Sequence, residues 1–148
     1  MKINTRVRYA VRLMADVMKH QKDGNVPLGD VARRQNLSKR YLSQLAIHLK
    51  NAQLLKSVWG MNGGYRLARP PAEIRMLDIM EAVEGPVSVI DCVTDPDSCN
   101  RYDYCECYNV WREINNGITN TLAKYTLDDL LKGSCSSLPE REKTMIKI

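Results

Sequence analysis

The chain has 148 residues, of which 44% are hydrophobic and 26% charged. That length and composition are typical of one compact domain with at most a small appendage. No apolar run approaches the ~20 residues that a membrane-crossing helix needs, and the first residues lack the apolar core of a signal peptide. We therefore expect a cytoplasmic protein with no membrane partner. Five cysteines in that compartment favour metal binding or redox chemistry over disulfides.

Positive charge is concentrated in the first half of the chain, although the net charge is only +5. Residues 1–70 contain 14 Lys and Arg and three Asp, whereas the remainder contains eight basic and 14 acidic residues. Such a basic half attracts the phosphate backbone of nucleic acids and gains free energy by releasing its counterions. A charge excess that only keeps the protein soluble is the alternative.

Apolar spacing predicts three helices in the basic half. The first covers residues 4–20 and is capped by Asn4 or Thr5. The second is short and is entered through Pro27, and the third begins after Ser38 as its cap. The layout is helix, short turn, helix, and the outward side of the third helix carries basic and small polar side chains.

A hairpin and more helices are predicted after the third helix. Residues 54–59 and 65–69 are strand-like, and Asn62-Gly63 between them favours a tight turn. The remaining predictions are helices over 74–83, 108–125 and 126–132, a loop without regular structure over 91–107, and a frayed tail after Ser134. The helix over 108–125 is long enough for a partner helix to pack along it.

Three helices followed by a basic hairpin match a winged helix-turn-helix, in which the third helix enters the major groove of DNA. Basic side chains contact phosphates, whereas short polar groups near the start of the recognition helix read bases, as Gln does with adenine. For any one of these side chains an ordinary solvated surface is the alternative, and Ser38 could act only as a cap. The candidates are Lys39, Arg40, Lys50, Lys56 and Arg66 for the backbone, and Ser38, Tyr41, Ser43 and Gln44 for bases.

Trp59 on the hairpin has two interpretations. We expect it to pack under the hairpin, because a buried indole contributes a large apolar area. The alternative is insertion beside the DNA, so Trp59 is included among the candidate DNA-binding residues.

The acidic loop contains most of the cysteines. Cys92, Cys99 and Cys105 are separated by six and then five residues, Cys107 follows closely, and Cys135 is remote. A structural zinc site usually has paired ligands two to four residues apart, which this spacing lacks. Acidic neighbours disfavour an activated nucleophilic thiol. An iron-sulfur cluster, which thiolates hold, is favoured, and a redox switch, zinc or inert thiols are the alternatives.

Several motifs spread over residues 1–132 together carry a resemblance to one known family. They are Arg8-Tyr9-Ala10-Val11, Val26-Pro27-Leu28, Tyr41-Leu42-Ser43-Gln44-Leu45, Gly60-Met61-Asn62-Gly63-Gly64-Tyr65-Arg66-Leu67, the three spaced cysteines, and Val110-Trp111-Arg112. In these segments the chain resembles the family of winged-helix bacterial regulators typified by the iron-sulfur regulator IscR and the nitric-oxide sensor NsrR. The resemblance implies a homodimer joined through the helix at 108–125, a palindromic operator in double-stranded DNA, and a cluster on the three cysteines.

The chain departs from that family at four points. Tyr108 stands where IscR-like members have a histidine ligand, and Arg6 and Arg8 stand where NsrR-like members offer a carboxylate. The fourth ligand is therefore Cys107, a carboxylate or a small molecule, and the cluster has two or four irons. Ser43 replaces an acid, and Trp59 replaces an arginine, so we expect a different operator preference.

The fold class we predict is mainly α: a winged helix-turn-helix with a β-hairpin wing, a cysteine loop and a long C-terminal dimerisation helix. The predicted divisions are 1–85 for DNA binding, 86–107 for cluster binding, 108–133 for dimerisation and the final helix, and 134–148 for a flexible tail. The hypothesis is a transcriptional regulator, not an enzyme, that senses cluster status, redox state or nitric oxide. The alternatives are a cluster-free thiol-sensing repressor and a dithiol redox enzyme that uses Cys105 and Cys107.

Overall fold

The computed structural model describes residues 3–133, so the predicted tail and Cys135 lie outside the described residues. The described chain is mainly helical, with one two-stranded antiparallel sheet. Its elements are α1 (Thr5–His20), α2 (Leu28–Gln35), α3 (Lys39–Asn51), β1 (Leu55–Val58), β2 (Gly64–Leu67), α4 (Met76–Glu84), α5 (Tyr108–Lys124) and α6 (Asp129–Lys132), with four short 3-10 turns at Pro71–Glu73, Asp91–Val93, Pro96–Ser98 and Tyr102–Tyr104.

Side-chain caps begin the first and third helices, as predicted. The Asn4 side chain accepts a hydrogen bond from the Val7 amide at 3.0 Å, and Ser38 accepts one from the Tyr41 amide at 3.4 Å. Each cap satisfies one of the amides that a helix start leaves without a partner. The turn between α2 and α3 begins at Asn36, which adopts the left-handed conformation (φ 52°) that asparagine tolerates better than most residues.

The core lies where α1, α3 and α4 meet. Large aliphatic side chains from all three helices are fully buried there, and burial of each contributes about 1.5–3 kcal/mol relative to exposure. They include Leu13 and Met14 of α1, Leu42, Leu45 and Leu49 of α3, and Ile79 of α4. The core therefore holds one face of α3, and the opposite face of the helix stays exposed.

The hairpin is anchored to the segment that precedes α2. Val26 and Tyr65 exchange backbone hydrogen bonds of 3.0 and 2.8 Å. A Cβ atom on Gly64 would lie only 2.7 Å from the Val26 carbonyl carbon, so this close approach needs glycine. The hairpin is thus held against the helix-turn-helix by its own backbone.

Two predicted helix starts were wrong for one shared reason. Helix α4 begins at Met76 and not at residue 74, and α6 begins at Asp129 and not at residue 126. The residues in between pair with each other: the Leu127 amide donates to the Ile74 carbonyl at 2.7 Å, and the Met76 amide donates to the Tyr125 carbonyl at 2.9 Å. This long-range pairing holds the segment after α5 against the start of α4.

Residues 91–107 were expected to lack regular structure, and that expectation was wrong in part. Three 3-10 turns follow one another in this segment. We call residues 86–107, which join the part of the chain that ends with α4 to α5, the connector. Its start is tied to α5, since the buried Asn115 side chain accepts a hydrogen bond from the Val89 amide at 3.0 Å.

Candidate nucleic-acid interface and cysteine connector

Helix α3 has one buried face and one free face. Leu42, Leu45 and Leu49 hold the buried face in the core, and the free face carries exposed cationic and amide side chains. Lys39, Arg40, Gln44 and Lys50, all candidates from the sequence, are exposed. Three of these four carry a positive charge, so the free face can contact phosphates and present one amide to bases.

Three other candidates on α3 are engaged within the protein. Ser38 is the helix cap, and the Ser43 hydroxyl donates to the Lys39 carbonyl at 2.9 Å. The Tyr41 ring packs edge-on against Tyr9 of α1, with ring centroids 5.9 Å apart. Among residues 3–133, the Gln44 amide and the Tyr41 hydroxyl make no internal hydrogen bond, and Gln44 is the more exposed of these two candidate base readers.

The outer face of the hairpin is also basic. Lys56 and Arg66 are direct cross-strand partners, and neither forms an ion pair within the described part of the chain. Like charges placed opposite each other repel, which destabilises an isolated hairpin. A phosphate between the two side chains would attract both of them and so offset their repulsion.

Trp59 does not pack under the hairpin. Its side chain is 91% exposed at the hairpin tip, so the expectation of burial was wrong. The space under the hairpin is taken by Leu55 and Leu67, which face each other across the strands and are buried. The side chains of a strand alternate between its faces, which would put Trp59 on the same face as Leu55. Strand β1 ends at Val58, however, so Trp59 lies beyond the strand and outside the space that Leu55 and Leu67 fill.

Sequence reasoning missed a buried ionic network that fixes the angle between α1 and α2. The Asp16 side chain is 1% exposed and lies 2.5 Å from the Arg34 guanidinium. Gln35 also donates to Asp16, at 2.8 Å. Burial raises the pKa of Asp16, but the hydrogen bonds from Arg34 and Gln35 outweigh burial and lower it overall. An acidic residue inside the apolar stripe of α1 was the sequence signal for this network.

A second polar contact links α1 to α3. Arg6 lies 2.8 Å from His48 Nε2 on α3 and 3.8 Å from a Glu84 carboxylate oxygen at the end of α4. His48 is exposed and hydrogen-bonded to Arg6. The three side chains join the ends of three helices.

The three spaced cysteines of the connector lie in or directly after its 3-10 turns. Cys92 lies within the first 3-10 turn, and Cys99 and Cys105 each follow directly after a turn. Cys107 precedes the first residue of α5. All four are free thiols; Cys107 is exposed and the other three are partly exposed. The thiols are thus available for ligation or oxidation.

The connector thiols are not gathered around one point. Within residues 3–133, no three His, Cys, Asp or Glu side chains lie close enough together to hold a metal ion. Instead, Tyr102 and Tyr108 close the connector onto α5: their hydroxyls are 3.1 Å apart and their ring centroids 4.7 Å apart. Ligation by all three spaced cysteines therefore requires the connector to rearrange.

Helix α5 presents an apolar face to solvent. Among its side chains only Asn115 is buried, whereas Val110 is 56%, Trp111 40% and Ile114 43% exposed. An apolar cavity of about 280 Å³ lies beside this helix, between α1, α4 and Leu122. Contiguous exposed apolar surface of this kind is typical of protein interfaces.

A family model described as "Iron-dependent Transcriptional regulator", Rrf2, matches residues 3–133. The chain belongs to the Rrf2 family. This membership confirms the resemblance seen in the sequence, since relatives named IscR match most of the chain. The "HTH-type transcriptional regulator IscR" of Xenorhabdus nematophila is 36% identical over 132 residues, which are 89% of this chain and 80% of that protein.

Solved structures of Rrf2-type regulators share the fold. The structure of CymR, titled the global cysteine regulator of B. subtilis, has a TM-score of 0.73 and 34% identity, and the match covers 89% of this chain and 97% of CymR. The structure titled T. potens IscR has a TM-score of 0.71 and 34% identity, and covers 97% of this chain and 96% of its own. The winged helix-turn-helix fold is therefore confirmed.

This Rrf2 protein is a DNA-binding transcriptional regulator and not an enzyme, because its family and its named relatives are regulators. The dithiol redox enzyme considered from the sequence is thereby set aside. Among residues 3–133, no helix is both long and apolar enough to cross a bilayer.

Proposed function

We propose that this Rrf2 regulator is a cytoplasmic homodimer that binds a palindromic operator and responds to an iron-sulfur cluster on its connector. The observation that carries the DNA-binding part is the free face of α3, with its exposed Lys39, Arg40 and Gln44 next to a basic hairpin. In a dimer the two α3 helices would enter successive major grooves about 34–36 Å apart.

The exposed face of α5 supports the homodimer. Val110, Trp111 and Ile114 follow one another at helical spacing, and Gly117, one turn further on, has open space around it. Small residues let two helices approach closely, and apolar side chains on both sides then leave water. A second copy supplies a matching face by symmetry.

The donor set of the connector fits a cluster by its chemistry. Cys92, Cys99 and Cys105 offer three free thiols on one segment, and iron-sulfur clusters are held by cysteine thiolates. A bound cluster would supply redox chemistry at iron and iron centres that can react with nitric oxide. Cys107 is the thiol nearest in sequence to the third cysteine, with the Glu106 carboxylate between them, and Cys107 is the local candidate for a fourth ligand.

A rearrangement of the connector can move α5 relative to the DNA-binding part of the chain, because the connector joins the two. It leaves the head after α4 and enters α5 at Tyr108, and the bond between Asn115 and Val89 ties its first residues to α5. Gathering the thiols would disrupt the Tyr102 contact with Tyr108 and move α5 relative to the head. The population of dimers that fit the operator would then change.

We expect Lys39→Ala combined with Arg40→Ala to weaken DNA binding to all sequences and to reduce the salt dependence of affinity. In the dimer, removal of two phosphate contacts from each chain lowers the slope of log K against log salt by about 3–4 units. Fluorescence anisotropy with labelled duplexes at several salt concentrations measures the slope. Lys124→Ala, a cation removed from α5, is the control, and an unchanged slope in the double variant would place α3 away from the phosphates.

We expect the protein purified without oxygen to contain iron and sulfide, and Cys92→Ala, Cys99→Ala and Cys105→Ala each to lose them. The ligand set cannot close when one of three thiolates is missing. Iron and sulfide counts and anaerobic absorption spectra measure the loss, with Asn100→Ala, an exposed neighbour of Cys99, as the control. Wild-type protein that holds no iron or sulfide after reconstitution would rule out the cluster and leave DNA binding intact.

A cluster-free thiol switch is the second candidate function. The observation that favours it is the arrangement of the connector, whose thiols are free and not gathered; the solved structure of the global cysteine regulator CymR is among the similar folds. Iron-free protein whose DNA binding changes with a mild oxidant, and is restored by a dithiol reductant, would support this candidate instead.

A further inference from the structure

The tip of the hairpin presents two large apolar side chains entirely to solvent. Trp59 is 91% and Met61 is 105% exposed, the two highest values among the large hydrophobic residues that the structure describes. An apolar pair of this size on a protein surface marks a contact with another molecule. Neither side chain contributes to the core or to the exposed face of α5.

The tip is held in a fixed conformation. The Gly63 amide donates to the Gly60 carbonyl at 3.0 Å, and the Asn25 side chain donates to the Asn62 carbonyl at 2.8 Å. A Cβ atom on Gly63 would lie 2.6 Å from the Val58 carbonyl oxygen, so the turn is closely packed. Trp59 and Met61 are therefore presented by a rigid support, which lowers the entropy cost of their insertion into a partner.

Positive charge next to the tip selects the partner. Lys56 and Arg66 face outward from the same hairpin as an unneutralised cross-strand pair, and the hairpin follows α3 after only a short turn. A polyanion relieves the repulsion between the two cations, whereas a neutral protein surface does not. When α3 lies in the major groove, the hairpin lies beside the adjoining backbone and minor groove.

We propose that Trp59 and Met61 form an apolar wedge that enters the minor groove beside each half-site, unstacks a base step and bends the duplex. This proposal rests on the DNA binding proposed above, and it adds that the bound duplex is bent and that operators with certain base steps are preferred. Apolar wedges act in this way in proteins that kink DNA through the minor groove. Flexible pyrimidine–purine steps cost least to unstack, so the wedge favours operators with such a step at that position.

The chain contains only two tryptophans, which makes the wedge directly observable. Trp111→Phe leaves Trp59 as the single indole, and size-exclusion chromatography checks that this variant keeps the oligomeric state of the wild type. The probe is a 30-bp duplex selected from a random library by the wild-type protein. We expect DNA binding to quench Trp59 emission and to protect it from acrylamide, because the indole stacks on a base.

Bending is measured by energy transfer between dyes at the two ends of the same duplex. We expect Trp59→Ala combined with Met61→Ala to abolish the bend and to lower affinity about 30-fold, the order expected for loss of one stacked aromatic group at each of two half-sites. The salt slope should stay unchanged because no phosphate contact is removed. Leu131→Ala, an exposed apolar residue on α6, is the matched control and should change neither quantity.

Two results would overturn the wedge and leave DNA binding standing. One is full binding, by anisotropy, with Trp59 still open to acrylamide. The other is an equal bend in the wild type and the double variant, which would show that Trp59 and Met61 do not bend the duplex. Failure of the wild type to select or bind any duplex would instead overturn the proposed function itself.

Discussion

Arg34→Ala is expected to destabilise the DNA-binding head by about 3–5 kcal/mol. The substitution leaves the Asp16 carboxylate, 1% exposed, without its guanidinium partner. Gln35 still donates one hydrogen bond, but a single neutral donor does not compensate a buried charge. The loss should appear as a lower midpoint of urea unfolding at fixed protein concentration.

Arg33→Ala is the control for that substitution. Arg33 is the neighbouring arginine, but its side chain is 76% exposed and pairs with Asp30 on the helix surface. Surface pairs of this kind contribute little, so its loss should change stability by no more than about 0.5 kcal/mol. Equal effects of the two substitutions would mean that the Asp16 network does not hold α1 to α2.

The same network gives the stability a defined pH dependence. The pKa of Asp16 in the folded protein lies below its ordinary value of 3.8, so its stabilising contribution is present above that value and is lost as the pH falls through the folded pKa. Without Arg34, burial acts with less opposition and the pKa of Asp16 rises. Acid unfolding of Arg34→Ala should therefore begin at a higher pH than that of the wild type.

Ile114→Lys is expected to separate the proposed dimer and to lower operator affinity by about 100-fold or more. A buried lysine on each side of a two-fold interface adds two unpaired charges to an apolar contact. A monomer then loses the gain that simultaneous binding of two half-sites provides, on the order of 10²–10⁴-fold. Sedimentation measures the oligomeric state, and anisotropy with the selected duplex measures the affinity.

Asn116→Lys adds the same charge on the opposite, polar side of α5. Asn116 is exposed, and this variant should remain a dimer with unchanged affinity. An Ile114→Lys protein that stays dimeric would show that the exposed face of α5 is not the subunit interface. The two variants together separate the effect of charge from the effect of position.

Local sequence determined the elements that position the DNA-binding surface. Asn4 and Ser38 were predictable as caps because their side chains satisfy amides only a few residues away. The apolar stripe of α3 follows from helical spacing, and the hairpin from Asn62-Gly63 between two strand-like runs. These interactions lie within one element or one turn, and a single sequence contains all the information that they need.

The candidate site was predictable where it depends on charge and exposure. Lys39, Arg40, Gln44 and Lys50 were predicted on the free face of α3, where the structure places them. Trp59 was misassigned because burial depends on whether other side chains already fill the space under the hairpin, and Leu55 and Leu67 do so. Sequence spacing does not show that competition.

What only the tertiary structure decided are contacts between residues far apart in the chain. The pairing of residues 74–76 with 125–127 delays the start of both α4 and α6, and the network of Asp16 with Arg34 joins two helices through a buried charge. By itself, the sequence determined the basic helix-turn-helix, its wing and the spaced thiols. The physical reason is range: caps, turns and helical stripes are decided by near neighbours, whereas burial and long-range pairing are decided by which elements meet.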